Sequence, residues 1–168
     1  MTAGKLLAAC AVKEGKYVTY FPSYGSEVRG GTANCQMVLS DRPILSPVVE
    51  EATVLLAMNP ASLERFSPMV APGGLVVLNT SMVEPPGGKQ KFQILAVPAT
   101  EIAAKIGAVQ VANVVMLAAL VGVKQFVSFD TLRAGIADAL KGRRAALIPA
   151  NEQALEAGRA VAAEWMAK

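Results

Sequence analysis

Thr53-Val54-Leu55-Leu56-Ala57-Met58 is an unbroken apolar run closed by Asn59-Pro60, and it constrains the fold more than any other segment. A strand with one wet face alternates polar and apolar positions. A run with almost no polar position is what a parallel sheet buries on both faces. Pro60 then opens a helix whose inward positions are Leu63, Phe66, Met69 and Val70. Pro72-Gly73-Gly74 turns into a second buried run over residues 75–79. After the loop Glu84-Pro85-Pro86-Gly87-Gly88-Lys89 a third strand covers residues 92–97.

The flanks continue the alternation. Thr2–Lys13 has helical spacing with Gly15 as its stop, and residues 17–21 alternate as a strand that Pro22 halts. A polar, glycine-bearing loop follows, then a further strand over residues 33–39, closed by Ser40-Asp41-Arg42-Pro43. Helical spacing returns at 100–106, 111–120 and 129–140, with Thr100 and Ser128 as N-caps and Gly107, Gly122 and Gly142 beyond the ends. Pro149 precedes Asn151-Glu152-Gln153-Ala154, which reads as a helix start capped by Asn151, and the last helix covers 151–166. The expected fold class is α/β: a three-layer α/β/α sandwich around a mostly parallel or mixed central sheet. No linker, low-complexity stretch or repeat divides it, so residues 1–168 are read as a single domain.

What the residues exclude is as informative. The 168 residues hold no histidine, which removes Ser-His-Asp hydrolases, Cys-His proteases and histidine-ligated metals. Cys10 and Cys35 are the two cysteines, too few for a four-thiolate cluster or structural zinc within one chain. Their patterns read as inert fillers of a helix and a strand, and their number suits a reducing cytosol. The net charge of +3 is scattered, with Arg143-Arg144 the one adjacent basic pair, so nucleic acid is not an expected partner. The longest apolar stretch, 108–123, includes Gln110 and Asn113 and falls short of the roughly 20 residues of a membrane span. No membrane or secretory segment is expected. At 53% hydrophobic and 17% charged residues, few groups remain to solvate the outside, which points to a subunit interface.

Of the glycine pairs, Gly73-Gly74 and Gly87-Gly88 read as turn and loop residues. Gly30-Gly31 differs, because it follows Tyr24, Glu27 and Arg29 between two strands. Closing a hairpin needs no such cluster. An anionic ligand or a partner chain can use the Arg29 fork, the Tyr24 hydroxyl and the close approach that glycine permits. Asn113 sits inside an apolar helix, where its amide must be matched by backbone, a loop or a cofactor. Glu50-Glu51 reads as a solvated pair and not as an acid/base site.

The string Tyr24-Gly25-Ser26-Glu27-Val28-Arg29-Gly30-Gly31 resembles the gamma subunit, or gamma domain, of the 2-oxoacid:ferredoxin oxidoreductases, which act on pyruvate, 2-oxoglutarate, branched-chain 2-oxoacids or indolepyruvate. Residues 6–15, 53–58, 73–79, 113–122 and Asn151-Glu152-Gln153-Ala154 with Gly158 agree in order and spacing. The resemblance implies one subunit of a cytoplasmic hetero-oligomer that converts a 2-oxoacid and coenzyme A to acyl-CoA, CO2 and reduced ferredoxin. It implies alpha, beta and ferredoxin-like delta subunits as partners, and ferredoxin indirectly. A homodimer stays open for the isolated chain. Thiamine diphosphate and iron–sulfur clusters are expected on the partner subunits, with no cofactor held by this chain alone and CoA as co-substrate. No catalytic residue is assigned here; Tyr24, Glu27, Arg29, Gly30, Gly31 and Asn113 are the candidate coenzyme or substrate-site residues. The family opens with a strand and a Gly-x-Gly-Gly-Gln-Gly turn, whereas this sequence opens at Met1-Thr2-Ala3-Gly4, so binding by that turn's amides is not carried over. The competing readings are a stand-alone small-molecule or nucleotide-binding α/β module and, third, a self-contained enzyme using Glu27 and Arg29.

Overall fold

A computed structural model describes residues 1–23 and 33–168, the side chains of residues 143 and 144 excepted. Its centre is a parallel sheet of β3 (Ala52–Ala57), β4 (Val70–Asn79) and β5 (Gln93–Val97), in the order β3-β4-β5. Leu55 lies opposite Val76, and Val76 opposite Ile94. The period of two sorts the side chains between two cores. Leu75, Val77, Leu95 and Val97 face the larger one, while Ala57, Val76 and Leu78 face a smaller one that Leu55, Leu63, Phe92 and Ile94 complete. The run of the central strand is buried on both faces, as expected, with residues 75–78 all 0% exposed, whereas in β3 only Ala57 is fully buried and Thr53 is exposed, because β3 lies at the edge of the described sheet.

Helix α2 (Pro60–Phe66) connects β3 to β4 and brings Leu63 to the smaller core. Asn59 caps it, its Oδ1 accepting from Ser62 N at 2.8 Å. The larger core is made with α1 (Thr2–Lys13), α3 (Ala99–Ile106), α4 (Ala112–Lys124), α5 (Phe129–Ala139) and α6 (Ile148–Met166). Helix α4 is buried from Val114 to Gly122, all round its axis, because it is packed by β4, β5, α3 and above all α6. β1 (Tyr17–Ser23) and β2 (Asn34–Ser40) form a separate antiparallel hairpin that packs on α1. A Cβ at Gly4 of α1 would meet Cys35 Sγ at 2.5 Å, so the helix approaches the hairpin where it has no side chain.

The α/β class matches the expectation, with five helices joining the larger core and the short α2 alone reaching the smaller one, and several local readings change. The described strands form two sheets, 2-stranded and 3-stranded, where one central sheet was expected. Pro22 stays within β1 opposite Cys35, the hairpin being only two strands wide, so that a missing N–H is tolerated. Pro72-Gly73-Gly74 lies inside β4: Ala52 pairs with Val70, the register shifts, and Val54 pairs with Leu75. Gly73 takes φ +76° in that irregularity, a conformation that favours glycine. Thr100 falls within the first turn of α3, which follows Pro98. Gly122 lies within α4, whose stop is Gln125 at φ 50°. Asn151 is one turn inside α6, its Nδ2 donating to Leu147 O at 2.8 Å. Ser128 does cap α5, accepting from Thr131 N. Cys10 is fully buried, but Cys35 is only partly so.

Candidate interaction site

Tyr24, Glu27, Arg29, Gly30 and Gly31 lie outside the described residues. The structure does show what carries them. The last described pair of the hairpin is Ser23 opposite Asn34, so both ends of the segment leave from adjacent strand termini. At that open end Phe21, Ser23 and Gln36 face Arg65 and Phe66 of α2 across a cavity of about 250 Å³. The Arg65 guanidinium lies 5.4 Å from the Phe66 ring centroid, a cation–π distance. Phe21 is 65% exposed there, an apolar side chain with little to cover it.

Asn113, the remaining candidate, stands in the first turn of α4. Its Oδ1 is buried and accepts no hydrogen bond among the described residues. Such an acceptor is destabilising unless a partner supplies a donor. The structure places Asn113 in the helical layer and the hairpin end beside α2, and no described hydrogen bond joins them.

One polar node escaped the sequence reading. Asn79, 1% exposed at the C-terminal end of β4, donates through Nδ2 to Thr100 Oγ1 at 2.9 Å and to Met58 O at 3.5 Å, and its Oδ1 accepts from Thr100 N at 3.4 Å. Beside it Ser81 Oγ accepts from Glu101 N at 3.1 Å. These bonds tie the ends of β3 and β4 to the start of α3, along the carboxyl edge of the parallel sheet. The available signal was an amide closing an otherwise apolar run.

Charged contacts fasten the helices. Glu14 at the end of α1 accepts from Ser128 N at 2.8 Å, and bonds from Thr131 and Ser128 hold its carboxyl below the usual range. Asp138 pairs with Lys13 and with Lys141, and these two ammonium groups lower its carboxyl to about 2. Arg133 Nη2 reaches Glu156 at 2.6 Å and its Nε reaches Glu152 at 3.0 Å, joining α5 to α6. None of these groups meets the hairpin end. A second cavity, about 580 Å³ and open, lies over Gly122, Phe129 and Met166, with the Arg159 guanidinium 5.0 Å from the Phe129 ring.

The two cysteines do not fit a metal cluster. Cys10 Sγ packs where a Gly135 Cβ would stand, donates to Thr131 O at 3.6 Å, and has its pKa raised, chiefly by burial. Cys35 Sγ packs instead against Gly4. The thiols serve separate contacts. Among the described residues no helix is long and apolar enough to cross a membrane.

Fold and site together define an α/β component built on a parallel core, with an antiparallel hairpin packed beside it. The chain belongs to the pyruvate ferredoxin/flavodoxin oxidoreductase family, whose model it matches over residues 1–161. It is 35% identical to the ketoisovalerate oxidoreductase subunit VorA of Methanothermobacter thermautotrophicus, over 98% of this chain and 33% of that protein. It is 30% identical to the 2-oxoglutarate synthase subunit KorC of Methanocaldococcus jannaschii, over 82% of this chain and 75% of that one. The chain thus spans about a third of the length of the VorA relatives. Among solved structures it resembles a pyruvate oxidoreductase subunit, PORC, from Thermotoga maritima, with TM-score 0.71 and 27% identity over 95% of this chain and 87% of that one. It also shares the fold of a keto/oxoacid ferredoxin oxidoreductase gamma subunit from Geobacter sulfurreducens PCA, with TM-score 0.80 and 24% identity over 97% and 90% of the two chains.

Proposed function

We propose that residues 1–168 act as one domain, the gamma-type component of a cytoplasmic, multi-subunit 2-oxoacid:ferredoxin oxidoreductase. The observation that carries this reading is the family match over residues 1–161, joined by relatives whose names are all those of oxidoreductase or synthase subunits. The enzyme would cleave the bond between the carboxylate and the oxo carbon of a 2-oxoacid, releasing CO2. The acyl group passes to the CoA sulfur, and the two electrons released pass to ferredoxin. Alpha, beta and ferredoxin-like delta subunits would complete the assembly.

Thiamine diphosphate and the iron–sulfur clusters belong, in this reading, to the partner subunits. Cys10 and Cys35 serve separate packing contacts and do not fit as ligands of a shared cluster. This chain contributes positioning: Tyr24, Glu27, Arg29, Gly30, Gly31 and Asn113 face the coenzyme, the substrate or the subunit that holds them. A guanidinium supplies a two-pronged donor for phosphate or carboxylate, and an amide oxygen such as Asn113 Oδ1 accepts one hydrogen bond from a ligand or partner. The test is purification of the tagged chain from its native source followed by identification of what accompanies it. A thiamine-diphosphate subunit and CoA-dependent ferredoxin reduction are expected in the same complex, with no turnover by the chain alone. A complex lacking both, or turnover by the isolated chain, overturns the reading.

A further inference from the structure

We propose that the apolar groove at the end of α4, the start of α5 and the last turns of α6 docks a second copy of this chain, and that its occupant is the connection from β2 to β3, residues 41–51. The groove is the open cavity of about 580 Å³, walled by Val121, Val127, Phe129 and Met166. Met166 is 53% exposed there, so apolar surface meets water. Arg159 stands on the same wall, its guanidinium 5.0 Å from the Phe129 ring centroid. The ring face holds the cation in place, and its N–H donors meet no carboxylate among the described residues. A cation held beside an apolar wall is complementary to a segment that carries carboxylates next to apolar side chains.

The β2–β3 connection has that composition, in the order Pro43-Ile44-Leu45-Ser46-Pro47-Val48-Val49-Glu50-Glu51, and it forms neither helix nor strand. Ile44 and Val49 are partly buried and hold it to the fold. Between them Leu45 is 99% exposed and Val48 65%. One exposed leucine is ordinary on a surface, but here two apolar side chains crown a short crest with acidic residues at its foot. Pro43 and Pro47 restrict the backbone, and Ser46 Oγ accepts from Val48 N at 3.3 Å, so the crest loses little freedom on docking. Glu50 and Glu51 are exposed, and neither has an ion pair among the described residues.

The two halves are complementary in both respects: an apolar crest with two unpaired carboxylates, and an apolar groove with one unpaired cation. They do not meet within one chain, since none of residues 41–51 lines the groove. The match is therefore between copies. Each copy carries both halves, so a two-fold arrangement makes the contact twice and closes as a dimer. A crest of this size is small beside the roughly 1,600 Å² of a stable interface, so the association is reversible and depends on concentration. The inference uses this chain's own surface and does not need the enzyme reading.

The test follows the mass of the 168-residue chain by light scattering as its concentration is raised, with a rise from one copy towards two expected. Arg159→Glu sets like charges against Glu50 and Glu51, and the double variant Glu50→Lys, Glu51→Lys does the same against Arg159. Each should weaken self-association about tenfold or more while circular dichroism shows the fold retained. Leu45→Ser should weaken it as well. Mixed together, the two charge-reversed chains should associate as the native chain does, because each supplies the half that the other has reversed. A native chain that stays monomeric at every concentration overturns the proposal. So does association that any of the three variants leaves intact, or that mixing the charge-reversed chains fails to restore.

Discussion

Gly158 of α6 lies directly against the Val115 carbonyl of α4: a Cβ at that position would overlap the oxygen and stand 2.7 Å from the Ala118 Cβ. The α4–α6 pair therefore meets backbone to backbone. The Gly158→Ala variant should lose about 1–3 kcal/mol, the usual range for overpacking a core, read as a lower midpoint in urea. Gly87→Ala, where a Cβ has nothing within 4 Å, should be close to neutral. A Gly158→Ala chain of unchanged stability would mean that α4 and α6 are free to separate.

That contact also shows where the sequence was legible. Thr2–Lys13 could be read from local spacing because Gly15 stops it, and Ser128 could be read because the cap and its partner Thr131 are three residues apart. Gly122 looks like a helix stop but lies within α4, for a reason forty residues away: a Cβ there would meet Ala162 at 2.5 Å. Strand pairing is equally non-local, so no pattern in residues 17–40 reveals that the hairpin forms its own sheet. The polar segment at 24–31 was legible as a motif from its residue types. The Asn79 node was not, because an amide closing an apolar run names no partner until Thr100 and Met58 are beside it.

Asp138 fixes an acid response. Lys13 and then Lys141 depress its carboxyl from 3.8 to about 2, so its contribution is complete above the ordinary value and is lost as pH falls towards 2. Tm should fall across that window, and Asp138→Asn should remove part of the fall while lowering Tm at neutral pH. Lys13 and Asp138 are each 46% exposed and Lys141 77%, so the effect should be small and should shrink in high salt. An identical acid profile in the variant would show that the pair contributes nothing.

Trp165 of α6 donates its indole N–H to Ile94 O of β5 at 3.0 Å, and Trp165→Phe keeps an aromatic ring, though a smaller one, and removes that donor. The expected loss is about 1 kcal/mol in a denaturant titration, with faster amide exchange confined to β5. Equal exchange in the two proteins would show that the indole does not guard this edge.

Asn113→Leu separates the two roles of an unmatched amide. Removing a buried acceptor with no partner should leave the isolated chain as stable as before, or about 1 kcal/mol more so. Activity of the reconstituted complex should fall by about tenfold, equivalent to about 1.4 kcal/mol. Full activity with raised stability would remove Asn113 from the site.

Arg29 tests the motif itself. Its guanidinium offers five donors in a rigid fork, while lysine keeps the charge and loses the paired geometry. An ion pair with Glu27, two residues away, would be worth only about 0–1 kcal/mol on a surface, so that pair alone predicts little effect on either fold or turnover. If the fork grips a phosphate or carboxylate on a partner subunit, Arg29→Lys should leave the Tm of the isolated chain within a degree or so. CoA-dependent ferredoxin reduction by the reconstituted complex should drop about tenfold or more, at least about 1.4 kcal/mol in the transition state. The split between KM for CoA and kcat then assigns the contact: a rise in KM alone marks binding shared by ground and transition states, and a fall in kcat marks a grip made only as the acyl group transfers. Unchanged turnover, or a large loss of stability at constant specific activity, would make the segment a structural connection.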